Sequence, residues 1–330
     1  MYEAKIILDS ISPAGNRLTT VQITFPRIVL AEVVTHRLLY ETTRGEVEYT
    51  CTARTATREL SKNSSSSRAI PSWRLAEQVL EDPYVPTPFT KNCKGMQAKE
   101  RLAAHESHEA ECVWVEMVQA NVEACGQLHN LGVHKQQANR LIEPFAWVTQ
   151  LLTATQDGWA NFFHQRCHQD CQPEFRKVAR MLYLKYRDSK PAEVCLGGWH
   201  LPFITDSLIV ATRSFATEYD VQKLKNVSAG MCAWVSYQPP GEVALPAKDL
   251  MEKALNTCDK LMGDSPYGRT SGPLHASPFE HQATPAASAA EAARYRSNLT
   301  GWVQRRKMMN GEFITEYKPS ESEIACWEES

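Results

Sequence analysis

Thr35-His36-Arg37 and, after a long interval, Ser61-Lys62-Asn63-Ser64-Ser65-Ser66-Ser67-Arg68 form the stretch that decides how this chain is read. Histidine, two arginines, an asparagine and a run of hydroxyls in one segment make poor core material. They make good lining for an anion: hydroxyls and backbone N–H groups can surround it, guanidinium forks grip it bidentately, and a histidine can face a ring. A serine run alone is equally the composition of a flexible linker. What lies downstream separates the two readings.

One downstream segment reads Gln137-Ala138-Asn139-Arg140-Leu141-Ile142-Glu143-Pro144, followed after an apolar stretch by Asn161-Phe162-Phe163-His164-Gln165-Arg166-Cys167-His168-Gln169-Asp170-Cys171-Gln172-Pro173-Glu174-Phe175. Another reads His275-Ala276-Ser277-Pro278-Phe279-Glu280-His281. Together the three resemble the flavin-dependent thymidylate synthase family, whose members methylate dUMP with FAD instead of a protein nucleophile. The order differs from the usual one. In that family a stretch ending in Ala-Arg-Val-Ser-Tyr and a Ser-Pro-Phe-Glu-His element precede the Arg-His-Arg-x7-Ser motif. Here Ala233-Trp234-Val235-Ser236-Tyr237 and Ser277 to His281 come near the end. The pattern resembles a divergent, circularly permuted, bacteriophage-like member, and permutation is tolerated where termini are close together at the surface.

The resemblance implies an α/β (α+β) fold with a central, mostly antiparallel sheet and packed helices in permuted segment order. It implies one domain over residues 1–330, an insertion at 40–60, and a permuted segment at 226–312 matching the family's N-terminal part. It also implies site residues. Ser64, Ser66, Arg68, Arg140 and Arg166 are expected to bind dUMP, with Arg68 on the phosphate, the two downstream arginines shared between phosphate and uracil edge, and Arg166 and Ser66 at the reacting centre. His36, Arg37, Asn63, Asn161 and His281 are expected to hold FAD. NADPH, 5,10-methylenetetrahydrofolate and a homotetramer whose active sites draw on several subunits follow from the same resemblance. Two positions depart from the motif: Thr35 replaces its first arginine, and Ser64 replaces the acidic residue after the asparagine. Positions 38–65 place 28 residues between Arg37 and Ser66, where the motif has seven.

Other residues carry plainer readings. His164, Cys167, His168 and Cys171 suggest a metal, but seven helical residues rise roughly 10 Å, whereas ligands of one tetrahedral ion lie within about 4 Å of each other. No metal is therefore expected. No Gly-x-Gly-x-x-Gly follows a strand, so no Rossmann dinucleotide domain is expected either. A formal net charge of -2 gives no general attraction to nucleic acid or anionic membrane. The N-terminal Met1 to Asp9 lacks an apolar signal core and no run has the length of a membrane span, so the expected location is cytoplasmic, or the host cytoplasm for a phage protein. The 10 cysteines are then expected to be reduced.

Val21, Ile23 and Phe25 alternate with Gln22 and Thr24, which predicts a strand ending at Pro26. Ile28 to Leu39 has near-helical apolar spacing and predicts a helix carrying His36 and Arg37 in its last turns. Tyr40 to Leu60 has no clean period and predicts a flap or small hairpin. Further helices are predicted from Ser72, as cap, to Glu81, within Gln97 to Leu131, and as a pair over Asp157 to Tyr186 broken at Pro173. Phe145 to Ala154 predicts a central strand, Ala233 to Tyr237 another, and Pro246 to Met262 an amphipathic helix.

Overall fold

The computed structural model describes residues 1–31, 37–40, 52–55, 60–95, 98–213, 219–235, 245–262, 277–295, 298–309 and 321–328. Strands β1 (Glu3–Ile11), β2 (Arg17–Pro26), β5 (Ser61–Ser64), β6 (Trp147–Thr155) and β7 (Ala192–Glu193) form one sheet in the order β5-β6-β2-β1-β7. All its pairings are antiparallel except β1 with β7. Two short pairs stand apart from it: β3 (Arg37–Tyr40) with β4 (Thr52–Thr55), and β8 (Ala283–Pro285) with β9 (Trp302–Gln304).

Period-2 alternation gives β2 and β6 two chemically different faces. Val21, Ile23, Phe25, Val148 and Leu152 point to one side, where they bury Trp159 and Phe162 of α3 (Gln156–Arg166) and Phe175 and Leu182 of α4 (Pro173–Asp188). Phe175 sits edge-on to Phe25 at 5.0 Å and to Phe162 at 5.9 Å, a geometry that suits the ring quadrupole. Pro173 at the first turn of α4 starts that helix as expected, since its missing N–H would be unsatisfied there in any case. Helices α1 (Ser72–Glu81) and α2 (Ala104–Asn130) pack as a pair at the sheet's end. Gly132, at φ +80, follows α2 in the left-handed conformation that favours glycine.

The opposite face is built from hydroxyls. Thr20 and Thr153 are directly opposed across the strands, as are Thr24 and Thr149, and both pairs share hydrogen bonds, at 2.6 and 3.0 Å. The Thr20–Thr153 rung extends in both directions: His200 Nε2 lies 2.8 Å from Thr20 Oγ1, His200 Nδ1 2.7 Å from Ser10 Oγ, and His281 Nδ1 2.8 Å from Thr153 Oγ1. Five buried side chains thus form one continuous hydrogen-bonded chain, linking three strands to residues far along the sequence. Helices α5 (Asp206–Arg213), α6 (Tyr219–Trp234) and α7 (Ala247–Met262) lie on this side, with Cys232 and Val235 packed on Leu151.

Several sequence expectations need correction. Arg37 is in strand β3, paired with Thr55, and not in a helix; Arg27–Val29 is a single 3-10 turn. Leu38, Leu39 and Tyr40 suit a pleated strand, and a hydrogen-bonded partner outweighs the helical spacing. His36 lies outside the described residues, as does most of the 40–60 insertion. Of the insertion, Thr52–Thr55 pairs with Arg37–Tyr40, and the last residue, Leu60, is buried in the main core. Ala233 and Trp234 end helix α6 and form no strand; Ser236 and Tyr237 lie outside the described residues. A short apolar run fits a buried helix as well as a strand, and here the helix packs it on Leu151. Ser72 is the first residue of α1, with Pro71 in the capping position.

Two outcomes test this layering. Gly230 lies where α6 crosses α7 so closely that an added Cβ would sit 2.0 Å from the Ala254 carbonyl oxygen. Gly230→Ala is expected to destabilise by about 1–3 kcal/mol or more, read by calorimetric melting; an unchanged Tm would mean the helices are not in that contact. Burial holds His200 and His281 at pKa values of about 3, against 6.5 when free, with mutual repulsion adding to the effect at His200. Between pH 6.5 and 3 the unfolded chain therefore binds protons that the native chain does not. Their contribution is complete above 6.5 and declines by about 1.4 kcal/mol per pH unit per histidine below it. The double variant His200→Asn/His281→Gln is expected to show a shallower loss of stability from pH 7 to 4 than the parent; equal slopes contradict neutral burial.

Candidate functional site

A cavity of about 630 Å³ opens beside β5, on the edge of the sheet. Its wall combines the turn after β2 (Arg27, Ile28, Leu30), residues of β5 and β6 (Lys62, Asn63, Ser64, Gln150), and Arg140, Glu143 and Pro144. Strand pairing explains part of this assembly: Ser64 opposes Gln150, whose Nε2 donates to Ser64 Oγ at 2.7 Å. The serine loop that follows is tied to the same strand, because Ser65 N donates to Thr149 O at 2.8 Å and Thr149 N to Ser65 Oγ at 3.1 Å.

Among the described residues, three cations, Arg27, Lys62 and Arg140, and one carboxylate, Glu143, line the cavity. Glu143 is held from several sides. It accepts from the Ser67 hydroxyl, from Arg140 Nη1 at 3.2 and 3.0 Å, and pairs with Arg27 Nε at 3.5 Å. Burial alone would raise its pKa, but the Ser67 hydrogen bond and the two guanidiniums outweigh burial and hold the carboxyl below its ordinary value. Arg27 is pushed down by burial and by neighbouring Arg140, against the pull of Glu143. Lys62 is lowered by burial, with Glu280 opposing. The described residues give the cavity a half-buried, net-positive lining suited to an anionic ligand.

The fold brings some expected residues together here. Asn63, Ser64 and Arg140 all line the cavity, and Ser66 and Arg68 follow on the loop leaving it, Arg68 exposed. Asn63 also donates through Nδ2 to Cys232 O at 3.0 Å, joining the cavity strand to α6. The Ser277–Glu280 turn packs on the same strand, and Gln304 Nε2 bridges Ser61 Oγ at 2.6 Å and Glu280 O at 3.1 Å.

Other expected residues lie elsewhere. Arg166 is 3% exposed, with its guanidinium carbon 5.5 Å from the Phe175 ring centroid and a hydrogen bond to Cys171; it does not line the cavity. His281 is fully enclosed between the layers, and its Nε2 has no hydrogen-bond partner among the described residues. Asn161, on α3, accepts from Gln165 Nε2 at 2.8 Å, while its own buried Nδ2 has no partner among the described residues. The side chain of Arg37 lies outside the described residues.

Arg27, Lys62, Ser67, Glu143 and Gln150 were not singled out from sequence. Glu143 stood within a quoted motif, and Lys62 and Ser67 within the serine-rich stretch, so position in a motif was the available signal. Arg27 and Gln150 had none, because an arginine after a strand and a glutamine within one are ordinary features.

Residues 11–192 match the family described as thymidylate synthase complementing protein. The match takes in β2, the serine-rich stretch, the Arg140 segment and helices α3 and α4, and stops before the 226–312 segment. No curated protein matches the chain. Among solved structures, the chain is similar to the UMP/dUMP methylase PolB from Streptomyces cacaoi bound with 5-Br UMP, at 12% identity and a TM-score of 0.41, over 56% of this chain and 88% of that one. The same enzyme bound with 5-Br dUMP gives 12% identity and a TM-score of 0.37, over 52% and 65%. Both similarities are too slight to assign a substrate. Since its match spans more than half of the sequence, the chain belongs to the thymidylate synthase complementing protein family, the flavin-dependent thymidylate synthases that its motifs resemble.

Proposed function

We propose that this chain transfers a one-carbon unit from methylenetetrahydrofolate to C5 of dUMP and reduces it, giving dTMP in an FAD-dependent reaction. The supporting observation is the convergence of Asn63, Ser64 and Arg140, from two motifs far apart in sequence, on one net-positive cavity. The nucleotide phosphate lies against Arg140, with Arg68 and the Ser66 hydroxyl on the adjoining loop, and the cavity wall excludes water from the ring. Bidentate guanidinium contact supplies orientation as well as affinity. Pyrimidine nucleotides carrying this phosphate are the substrate class, and the assembly is a homotetramer in the cytoplasm.

The residues present partly fit a flavin. The orphaned Nδ2 of Asn161 is a buried donor in need of an acceptor, and Asn161 is the described residue best suited to hold FAD, with His36 and Arg37 as its expected companions. Asn63 and His281 are engaged between the layers and act on the site by fixing β5 and the 277–281 turn. The flavin, when bound, would supply redox chemistry, carrying electrons from NADPH to the one-carbon unit. The chain's own residues bind, orient and neutralise charge.

Ser64 favours a second reading. In the resembled motif this position is acidic, whereas here the cavity wall carries a neutral hydroxyl held by Gln150. With that charge absent, water in place of hydride can resolve the one-carbon adduct, giving a hydroxymethylated pyrimidine nucleotide. Product mass after incubation with FAD, NADPH, methylenetetrahydrofolate and either dUMP or dCMP separates the two: a methyl product supports the first, a hydroxymethyl product the second, and no product from either nucleotide contradicts both. Arg140→Ala and Arg68→Ala are each expected to weaken dUMP binding about ten- to a hundredfold, the loss of one charge-assisted contact worth roughly 1.5–3 kcal/mol. Unchanged calorimetric affinity in both variants would remove the phosphate from this wall.

A further inference from the structure

Glu143 is engaged by three side chains in the cavity wall, and the proposed chemistry does not use it. Its side chain is 18% exposed. Its partners come from three other parts of the chain: Arg27 after β2, Ser67 in the loop after β5, and Arg140 in the helical turn just before it. Arg27 reaches further, donating Nη1 to the Ser65 carbonyl at 3.1 Å. One carboxylate therefore gathers two guanidiniums and pins both ends of the Ser65–Ser67 loop.

The way Arg140 is held is informative. It spends only Nη1 on Glu143 and remains 58% exposed. Among the described residues its Nε and Nη2 make no hydrogen bond, so that edge of the guanidinium remains available. Such an edge matches two oxygens of a phosphate monoester. Without Glu143, the Arg27 and Arg140 charges would repel, Ser67 would lose its acceptor, and Arg140 would recover the rotamer freedom that the pairing removes.

We propose that Glu143 is a positioning residue for the phosphate of a pyrimidine nucleotide: it fixes Arg140 by one nitrogen, keeps Arg27 beside it, and holds the Ser65–Ser67 loop so that these groups form one phosphate seat. The proposal rests on the reading of the cavity as a nucleotide site, and its sign differs from that of simple electrostatics. Removing a carboxylate from among three cations should strengthen anion binding if net charge governs affinity. It should weaken binding if Glu143 acts by placing its partners.

The test is calorimetric titration of the full-length protein and its Glu143→Ala, Glu143→Gln and Glu143→Asp variants with dUMP, 2′-deoxyuridine and inorganic phosphate. Glu143→Gln keeps the side chain's size and guards against a folding defect in the alanine variant, with circular dichroism as the check. The expected result is a tenfold or greater loss of affinity for dUMP and phosphate in the Ala and Gln variants, partial recovery in Asp, and no change for 2′-deoxyuridine. Equal or tighter dUMP and phosphate binding by a folded Gln variant overturns the proposal and leaves the nucleotide reading intact. Parent protein that binds phosphate in a Glu143-dependent way but does not bind dUMP sinks the nucleotide reading and keeps the seat. Binding of neither ligand by the parent overturns both.

Discussion

The hydrogen-bonded chain Ser10–His200–Thr20–Thr153–His281 is the constraint on which the rest of the architecture depends. The buried Thr20 and Thr153 hydroxyls satisfy one another only in part, and an apolar cover over them would leave hydrogen-bonding capacity unmet, at a cost of the order of 1–3 kcal/mol per stranded group. Two imidazoles meet this need: His200 bridges Thr20 and Ser10 through both ring nitrogens, and His281 reaches Thr153 through Nδ1. Because they come from residues 200 and 281, satisfying the sheet also recruits the last third of the chain. That recruitment seats the Ser277–Glu280 turn on β5, brings Glu280 toward Lys62, and lets Gln304 close on Ser61.

The cavity is shaped by this arrangement from behind and by electrostatics from in front. On strand β5, Lys62, Asn63 and Ser64 all line the cavity, and Asn63 in addition ties the strand to helix α6 through its hydrogen bond to the Cys232 carbonyl. One short strand therefore both braces the layer behind and faces the ligand space. On the cavity side, three cations would repel one another in a half-buried setting. Glu143, held ionised by the hydroxyl and guanidiniums around it, lets Arg27 and Arg140 coexist, while Glu280 offsets Lys62.

Much of this was legible beforehand, for identifiable reasons. β2 and β6 announce themselves by alternation or a β-prone apolar run, and the α3–α4 break by Pro173. Asn63, Ser64 and Arg140 stood in recognisable motifs and do share a cavity. The misses have physical causes. Arg37 and Ala233 sit in apolar runs whose spacing fits helix and strand alike, and tertiary pairing decides between them. Arg166, expected to meet the nucleotide, has its guanidinium in a buried frame against Cys171 and Phe175, and a helix's periodicity does not say which neighbour covers a given face. Arg27 and Glu143 act as a pair only after the chain has folded, so nothing local marks Arg27, and the motif around Glu143 does not say what it pairs with.

The central claim is that the cavity walled by Arg27, Ser64, Arg140 and Glu143 receives the phosphate of a pyrimidine nucleotide. Crystals of the protein grown with dUMP, with difference density calculated before the ligand is built, address this directly. The account predicts phosphate density within hydrogen-bond distance of the outer edge of Arg140, with the base directed into the cavity. Well-ordered dUMP bound with its phosphate on any other surface of the chain, and the cavity holding only solvent, would contradict it.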